Sequence, residues 1–237
     1  MKLTKKLKGL QILDGTVLKI IALVLMTCDH VGLQLANGNE VLRALGRLAM
    51  PIFAFMIAEG CKYTKNRLKY LLLIAGLGVA CQAVYVGFMG SWYMGILITF
   101  SFSIILIYAL DNAIKKKDSK SITICAIAFA TVIFLVVALP NLLPSSSDYA
   151  VDYGIFGVFL PVVFYLGQDK PSKLLYGAVD LVLLCVFSDW KLQWFCLLSI
   201  AILTLYNGQK GKLRLKYLFY IYYPAHLVVI YLISLLI

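Results

Sequence analysis

The chain has 237 residues, of which 62% are hydrophobic and only 14% charged, with a mean hydropathy of +0.91. Soluble domains carry about 45 to 50% apolar and about 25% charged residues, and a globule of this size has too little interior to hide the surplus. A soluble enzyme is excluded, and the net charge of +11 points to membrane loops sorted by charge rather than to nucleic acid.

A helical span needs about 20 mostly apolar residues. In chain order the sequence offers nine candidates: Val17 to Ala36, Arg47 to Cys61, Tyr70 to Phe88, Trp92 to Leu110, Ser121 to Leu139, Tyr153 to Gly167, Lys173 to Ser188, Lys191 to Tyr206 and Tyr217 to Leu236. The second, sixth and seventh are short, and Pro51 in the second predicts a kink or partial insertion. The fold class expected is all-α, a polytopic membrane bundle of about nine helices (eight to ten), in one domain over residues 1–237 of the cell membrane. The first span follows a basic segment but is long and carries Asp29 and His30, so it reads as retained rather than as a signal peptide.

The basic residues fix an orientation. If the cluster Lys2, Lys5, Lys6 and Lys8 is cytoplasmic, alternate gaps hold Lys62, Lys65, Arg67 and Lys69; Lys115, Lys116, Lys117 and Lys120; Lys170 and Lys173; and Lys210, Lys212, Arg214 and Lys216. With Lys19 this leaves only Arg43, Arg47 and Lys191 opposite, out of 22 Lys and Arg in all. That asymmetry predicts a cytoplasmic amino terminus and an external carboxyl terminus. Trp92, Tyr93, Trp190 and Trp194 then form an outer aromatic belt, with Tyr70, Tyr217 and Tyr220 inside. The six cysteines, Cys28, Cys61, Cys81, Cys125, Cys185 and Cys196, have no metal spacing and read as small buried hydrophobes.

Ionisable groups in the hydrocarbon region are costly and hence functional candidates. They are Asp29, His30, Glu59, Asp180 and His226, and they include both histidines of the chain. At about 1.5 Å of rise per residue, His30 lies roughly 20 Å from the inner edge, His226 roughly 14 Å and Glu59 roughly 12 Å, one central layer that could line one polar cavity. Neighbours in a helix point about 100° apart, so Asp29 is expected to meet a group of another helix, such as Arg47 or Arg43, rather than His30. His30 reads as a catalytic group, a structural hydrogen-bonding group or an ion ligand. His226, after Tyr223 and Pro224, reads equally as a partner for freed backbone, Asp180 as half of an interhelical hydrogen bond, and Arg43 and Arg47 also as interfacial anchors.

Four strings carry a resemblance: LKIIALVLMTCDHVG (Leu18 to Gly32), GRLAMPIFAFMIAEG (Gly46 to Gly60), YTKNRLKY (Tyr63 to Tyr70) and YYPAHL (Tyr222 to Leu227). Together they resemble the TraX family, whose founding member acetylates the amino terminus of F pilin and which is similar to the broader transmembrane acyltransferases. The resemblance implies an acetyltransferase that takes acetyl-coenzyme A from the cytoplasm and passes the acetyl group to an acceptor: a peptide amino terminus, a glycan or a small molecule. Lys62, Lys65, Asn66, Arg67 and Lys69 would then meet the coenzyme phosphates, although they also suit plain positive-inside residues. The pantetheine arm would run past Glu59 and His226 toward His30, the general base, with an acetyl-histidine intermediate as the competing mechanism. Asp29 and Glu59 would tune the histidines, and Arg43, Arg47 and Tyr223 would hold the acceptor. No metal is expected, because two histidines and scattered carboxylates make a poor site. The expected partners are acetyl-coenzyme A, the acceptor and membrane lipids, with no nucleic acid. The rival functions are a proton-coupled transporter using the same ionisable groups as a relay, disfavoured by the lack of inverted repeats, and a non-catalytic assembly factor.

Overall fold

A computed structural model describes residues 11–144, 146–211 and 216–236, and the side chains of these apart from residues 88–89 and 216–220. Lys2, Lys5, Lys6, Lys8, Lys212 and Arg214 lie outside the described residues, as do the side chains of Lys216, Tyr217 and Tyr220. The described chain is all helical, and its only β pairing is two isolated bridges, Leu13 with Tyr206 and Met94 with Val151. Among the described residues, five helical runs are long and apolar enough to cross a membrane, and shorter apolar helices cover Gly154–Leu166, Lys191–Thr204 and Ile221–Ser234.

Four of the described helices start where a polar side chain serves the free backbone N–H groups of the first turn. Asp14 accepts from the Thr16 and Val17 amides and opens α1 (Gly15–Gln34), and Asn39 does the same for α2 (Glu40–Gly46) through Val41 and Leu42. Asn66 caps α4 (Arg67–Met89) and Asp118 caps α6 (Ser119–Ile133). A capped helix therefore begins at its cap and includes charges that lie outside the apolar run: α4 starts at Arg67 rather than Tyr70.

Proline shapes two breaks. Pro51 stands in the first turn of α3 (Ala49–Tyr63), where it lacks the N–H that would bond the Arg47 carbonyl, and the helix is interrupted at Arg47 and Leu48. Pro140 follows a π-helical turn, Phe134–Ala138, that leads into the short α7 (Leu139–Leu142). Carbonyls loosened there find side-chain donors: Leu135 O accepts from Tyr149 OH at 3.2 Å and Val137 O from Asn141 Nδ2 at 2.6 Å. In a span, such substitution is what makes a broken ladder tolerable.

The chain forms two compact units. The first holds residues 1–56 and 181–237, the second residues 57–180. In the first, Leu23 and Met26 of α1 and Ala49 of α3 form a buried cluster against Leu25, Phe53, Tyr222 and Tyr223. Its other end is pinned by backbone bonds from Leu13 N to Leu205 O, Asn207 N to Leu13 O and Gly15 N to Gln209 O, all 2.8 to 3.0 Å. In the second unit α5 (Ile96–Lys116) packs against α4, α6 and α8 (Gly154–Leu166). Ser103 Oγ donates to Val158 O at 2.7 Å and Thr99 Oγ1 to Asp152 O at 2.9 Å. The remaining elements are α9 (Lys170–Val186), a 3-10 helix (Lys191–Leu197), α10 (Leu198–Thr204) and α11 (Lys216–Ser234). The expected eighth span, Lys191 to Tyr206, is thus half 3-10 and half α.

Candidate functional site

The two histidines meet in the first unit. His30 sits one turn before the end of α1 and His226 in the middle of α11; Nε2 of His226 is 3.4 Å from Nδ1 of His30, with ring centroids 5.0 Å apart, edge to face. Each Nδ1 also lies 2.9 Å from a carbonyl one turn back in its own helix, Met26 O for His30 and Tyr222 O for His226. A carbonyl only accepts, so in each neutral ring Nδ1 carries the proton and Nε2 the lone pair. His226 Nε2 then takes a second, longer share of the His30 N–H. The Nε2 lone pair of His30 is left unbonded among the described residues.

Aromatic rings hold this pair in place. Tyr222 stacks on His226 at 5.3 Å with an interplanar angle of 6°, and Tyr223 meets it edge-on at 5.8 Å. Tyr222 OH is 2.6 Å from Thr27 Oγ1, which itself donates to Leu23 O, so α1 and α11 are tied together one turn below the histidines. His226 is buried and His30 half-buried, which leaves the free nitrogen on the more accessible ring.

Asp29 turns away from His30, as the helical angle requires. Its carboxylate is taken by Arg47 and lies 3.6 Å from Nε of Arg43. Gly46 makes this approach feasible: a Cβ there would sit 2.7 Å from the Asp29 Cα, closer than any real contact. The Gly46-Arg47 dipeptide is therefore a packing contact and an ion pair in one element. Both guanidinium carbons stand 4.5 Å from the ring centroid of Trp190, a double cation–π contact.

In the second unit, Lys173 takes the Glu59 carboxylate, and both side chains are at most 10% exposed. Glu59 thus has a lysine for its partner, and the common depth that suggested a cavity with the histidines does not by itself bring it to them. Arg67 bonds Asp111 at 2.5 Å, and Asp111 also accepts from Lys115 Nζ and Tyr165 OH, each at 2.8 Å. Lys62, Lys65, Asn66 and Lys69 are exposed, and Asn66 spends its side-chain oxygen on capping α4. A shallow depression of about 400 Å³ is lined by Asn66, Leu68, Lys69, Leu72 and Leu73. Gly60 explains the Glu-Gly and Lys-Tyr strings, because a Cβ on it would lie 2.7 Å from Cζ of Tyr70. Asp180 departs from its expected interhelical bond: its Oδ2 is buried with no hydrogen-bond partner among the described residues.

Sequence reasoning missed Trp190, Thr27, Tyr222, Lys173 and Asp111 as members of these clusters. Lys173 and Asp111 stand at span ends, where a buried ion-pair partner and an ordinary interfacial charge look alike. Trp190 fell within the aromatic belt. Among the described residues no group of three or more His, Cys, Asp or Glu could hold a metal ion.

These features define an all-helical membrane protein with a histidine pair set between the first and last of its described helices. A family model described as TraX protein matches residues 14–234, and the chain belongs to the TraX family. It is 27% identical to a probable fimbrial assembly protein, FimC of serogroup H1, from Dichelobacter nodosus, over 89% of this chain and 91% of that one. It is also 24% identical to an uncharacterised protein of Rickettsia prowazekii, over 66% of this chain and 57% of that protein. No solved structure matches it.

Proposed function

We propose that this protein is a membrane-embedded acetyltransferase that moves an acetyl group from cytoplasmic acetyl-coenzyme A to an amine or hydroxyl acceptor, with His30 as general base. The observation that carries the reading is the unbonded Nε2 of His30, whose lone pair is fixed by the proton held on Nδ1 against Met26 O. An acceptor N–H or O–H gives its proton to that nitrogen while the acceptor atom attacks the thioester carbonyl. The C–S bond then breaks, and the proton passes to the departing thiolate. His226 is fixed to present a lone pair to His30 Nδ1–H, which favours the imidazolium that forms by strengthening its hydrogen bond. Arg43, Arg47 and Tyr223 face the acceptor, and Lys62, Lys65, Asn66, Arg67 and Lys69 the coenzyme phosphates; the exposed cations of that loop suit polyanionic chemistry.

The orientation goes with this reading: nine spans, amino terminus inside. Its support is that contacts within each unit join ends which the charge alternation puts on one side. Leu13 pairs with Leu205 and Asn207, Arg43 and Arg47 with Trp190, Lys173 with Glu59, Arg67 with Asp111, and Met94 with Val151. Because a relative bears the name of a fimbrial assembly protein, the acceptor proposed first is the amino terminus of a pilus subunit. The test is incubation of the purified protein with acetyl-coenzyme A labelled in the acetyl group and with membrane extracts or amino-terminal peptides as acceptors. If label neither binds nor moves, the enzyme reading fails.

A further inference from the structure

Cys185 lies in the last turn of α9 and Cys196 in the 3-10 helix that follows, with their Sγ atoms 3.6 Å apart. Both side chains are buried, and no other pair of cysteine sulfurs is in contact among the described residues. The segment they enclose, 186–195, carries Trp190, the ring on which Arg43 and Arg47 rest. Two thiol sulfurs in contact at the ends of one short segment are placed as disulfide partners are before oxidation. The segment also lies at the outer end of the helices in the proposed orientation, where thiols meet oxidants.

We propose that Cys185 and Cys196 are a modification site, oxidised to an intramolecular disulfide that clamps the Trp190 segment beneath Arg43 and Arg47. The inference rests on the outward orientation proposed above, not on the acetyl transfer. In the step, two S–H bonds are lost and one S–S bond forms. The two electrons and two protons pass to the disulfide of an external thiol oxidant, which leaves as two thiols. Exchange takes place while the segment is still open during folding. Once packed, the bond is shielded, consistent with sulfurs that no longer reach the surface. The clamp would keep Trp190 in register with the arginines that hold Asp29.

The experiment is alkylation in full-length protein from acid-quenched membranes, denatured in SDS with N-ethylmaleimide and read by peptide mass. Cys185 and Cys196 should stay unlabelled until a reductant is added, while Cys28, Cys61, Cys81 and Cys125 label directly. Direct labelling of Cys185 and Cys196 overturns the proposal. In Cys185→Ser, Cys196 should become labelled without reductant; if it stays blocked, the partner assignment is wrong. The orientation is tested separately with Lys191→Cys in a Cys185→Ser/Cys196→Ser background and an impermeant maleimide on intact cells. External labelling together with free Cys185 and Cys196 sinks the disulfide and leaves the orientation standing, whereas failure to label from outside, with labelling restored on permeabilisation, removes the orientation and the oxidant access that depends on it.

Discussion

Replacing Asp29 by Asn keeps the shape of the side chain and removes its charge. Arg43 and Arg47, both mostly buried, then stand beside each other and beside Trp190 without the charge of the Asp29 carboxylate. At the 3.6 Å between Asp29 Oδ1 and Arg43 Nε, the attraction lost is about 4 to 5 kcal/mol for an effective dielectric constant of about 20. Part of that is offset by the desolvation that the carboxylate no longer suffers. Truncation of one partner in a buried pair typically costs about 3 to 5 kcal/mol, so a loss of about 3 kcal/mol is expected for Asp29→Asn. SDS-induced unfolding in mixed micelles, followed by tryptophan fluorescence, measures it. The double variant Asp29→Asn/Arg43→Gln should recover part of the loss, because it removes one of the two facing cations. A loss under about 1 kcal/mol, or a double variant no more stable than the single, would refute the argument that charge compensation holds α1 to α2.

The other predictions concern packing and loops. Glu59→Gln should destabilise by about 3 kcal/mol or more by leaving Lys173 buried without its carboxylate, and Glu59→Gln/Lys173→Met should restore most of it, both read by the same unfolding titration. Gly46→Ala should cost about 1 to 3 kcal/mol, since the added Cβ collides with backbone of Asp29 rather than with a movable side-chain tip. In the loop before α5, bonds from the Ser91 hydroxyl and then the Trp92 amide hold the Asp148 carboxyl below its usual range. A depressed folded value means that the contact contributes above the carboxylate range and is lost as pH falls through it. Protection of the Trp92 amide, its exchange rate taken relative to the intrinsic rate at each pH, should fall as Asp148 is protonated, and Asp148→Asn should abolish that pH-dependent step.

The helical runs were legible because apolar length, proline and basic residues act locally along the chain. Asp29 was assigned to Arg43 or Arg47 for a reason equally local, the 100° between consecutive helical residues, and the ion pairs are there. What depth counting leaves out is which way a side chain points. It put Glu59 level with the histidines, but the partner of its carboxylate, Lys173, lies 114 residues along the chain and had been counted as a loop charge. Asp111 escaped notice one residue past a span end, and only packing of α4 and α8 onto α5 shows it gathering Arg67, Lys115 and Tyr165. The contact between His30 and His226 likewise spans 196 residues; the sequence marked both residues as costly in a membrane but carried no signal that their rings touch.

The central claim is that Nε2 of His30 takes the acceptor's proton. Its most direct measurement is the rate of acetyl transfer from labelled acetyl-coenzyme A by His30→Ala, with SDS unfolding showing that the variant is folded. A positioned general base contributes about a hundredfold to ten-thousandfold, so the turnover rate should fall by at least about a hundredfold while binding of the coenzyme is little changed. A folded His30→Ala protein that transfers acetyl at the wild-type rate contradicts the account.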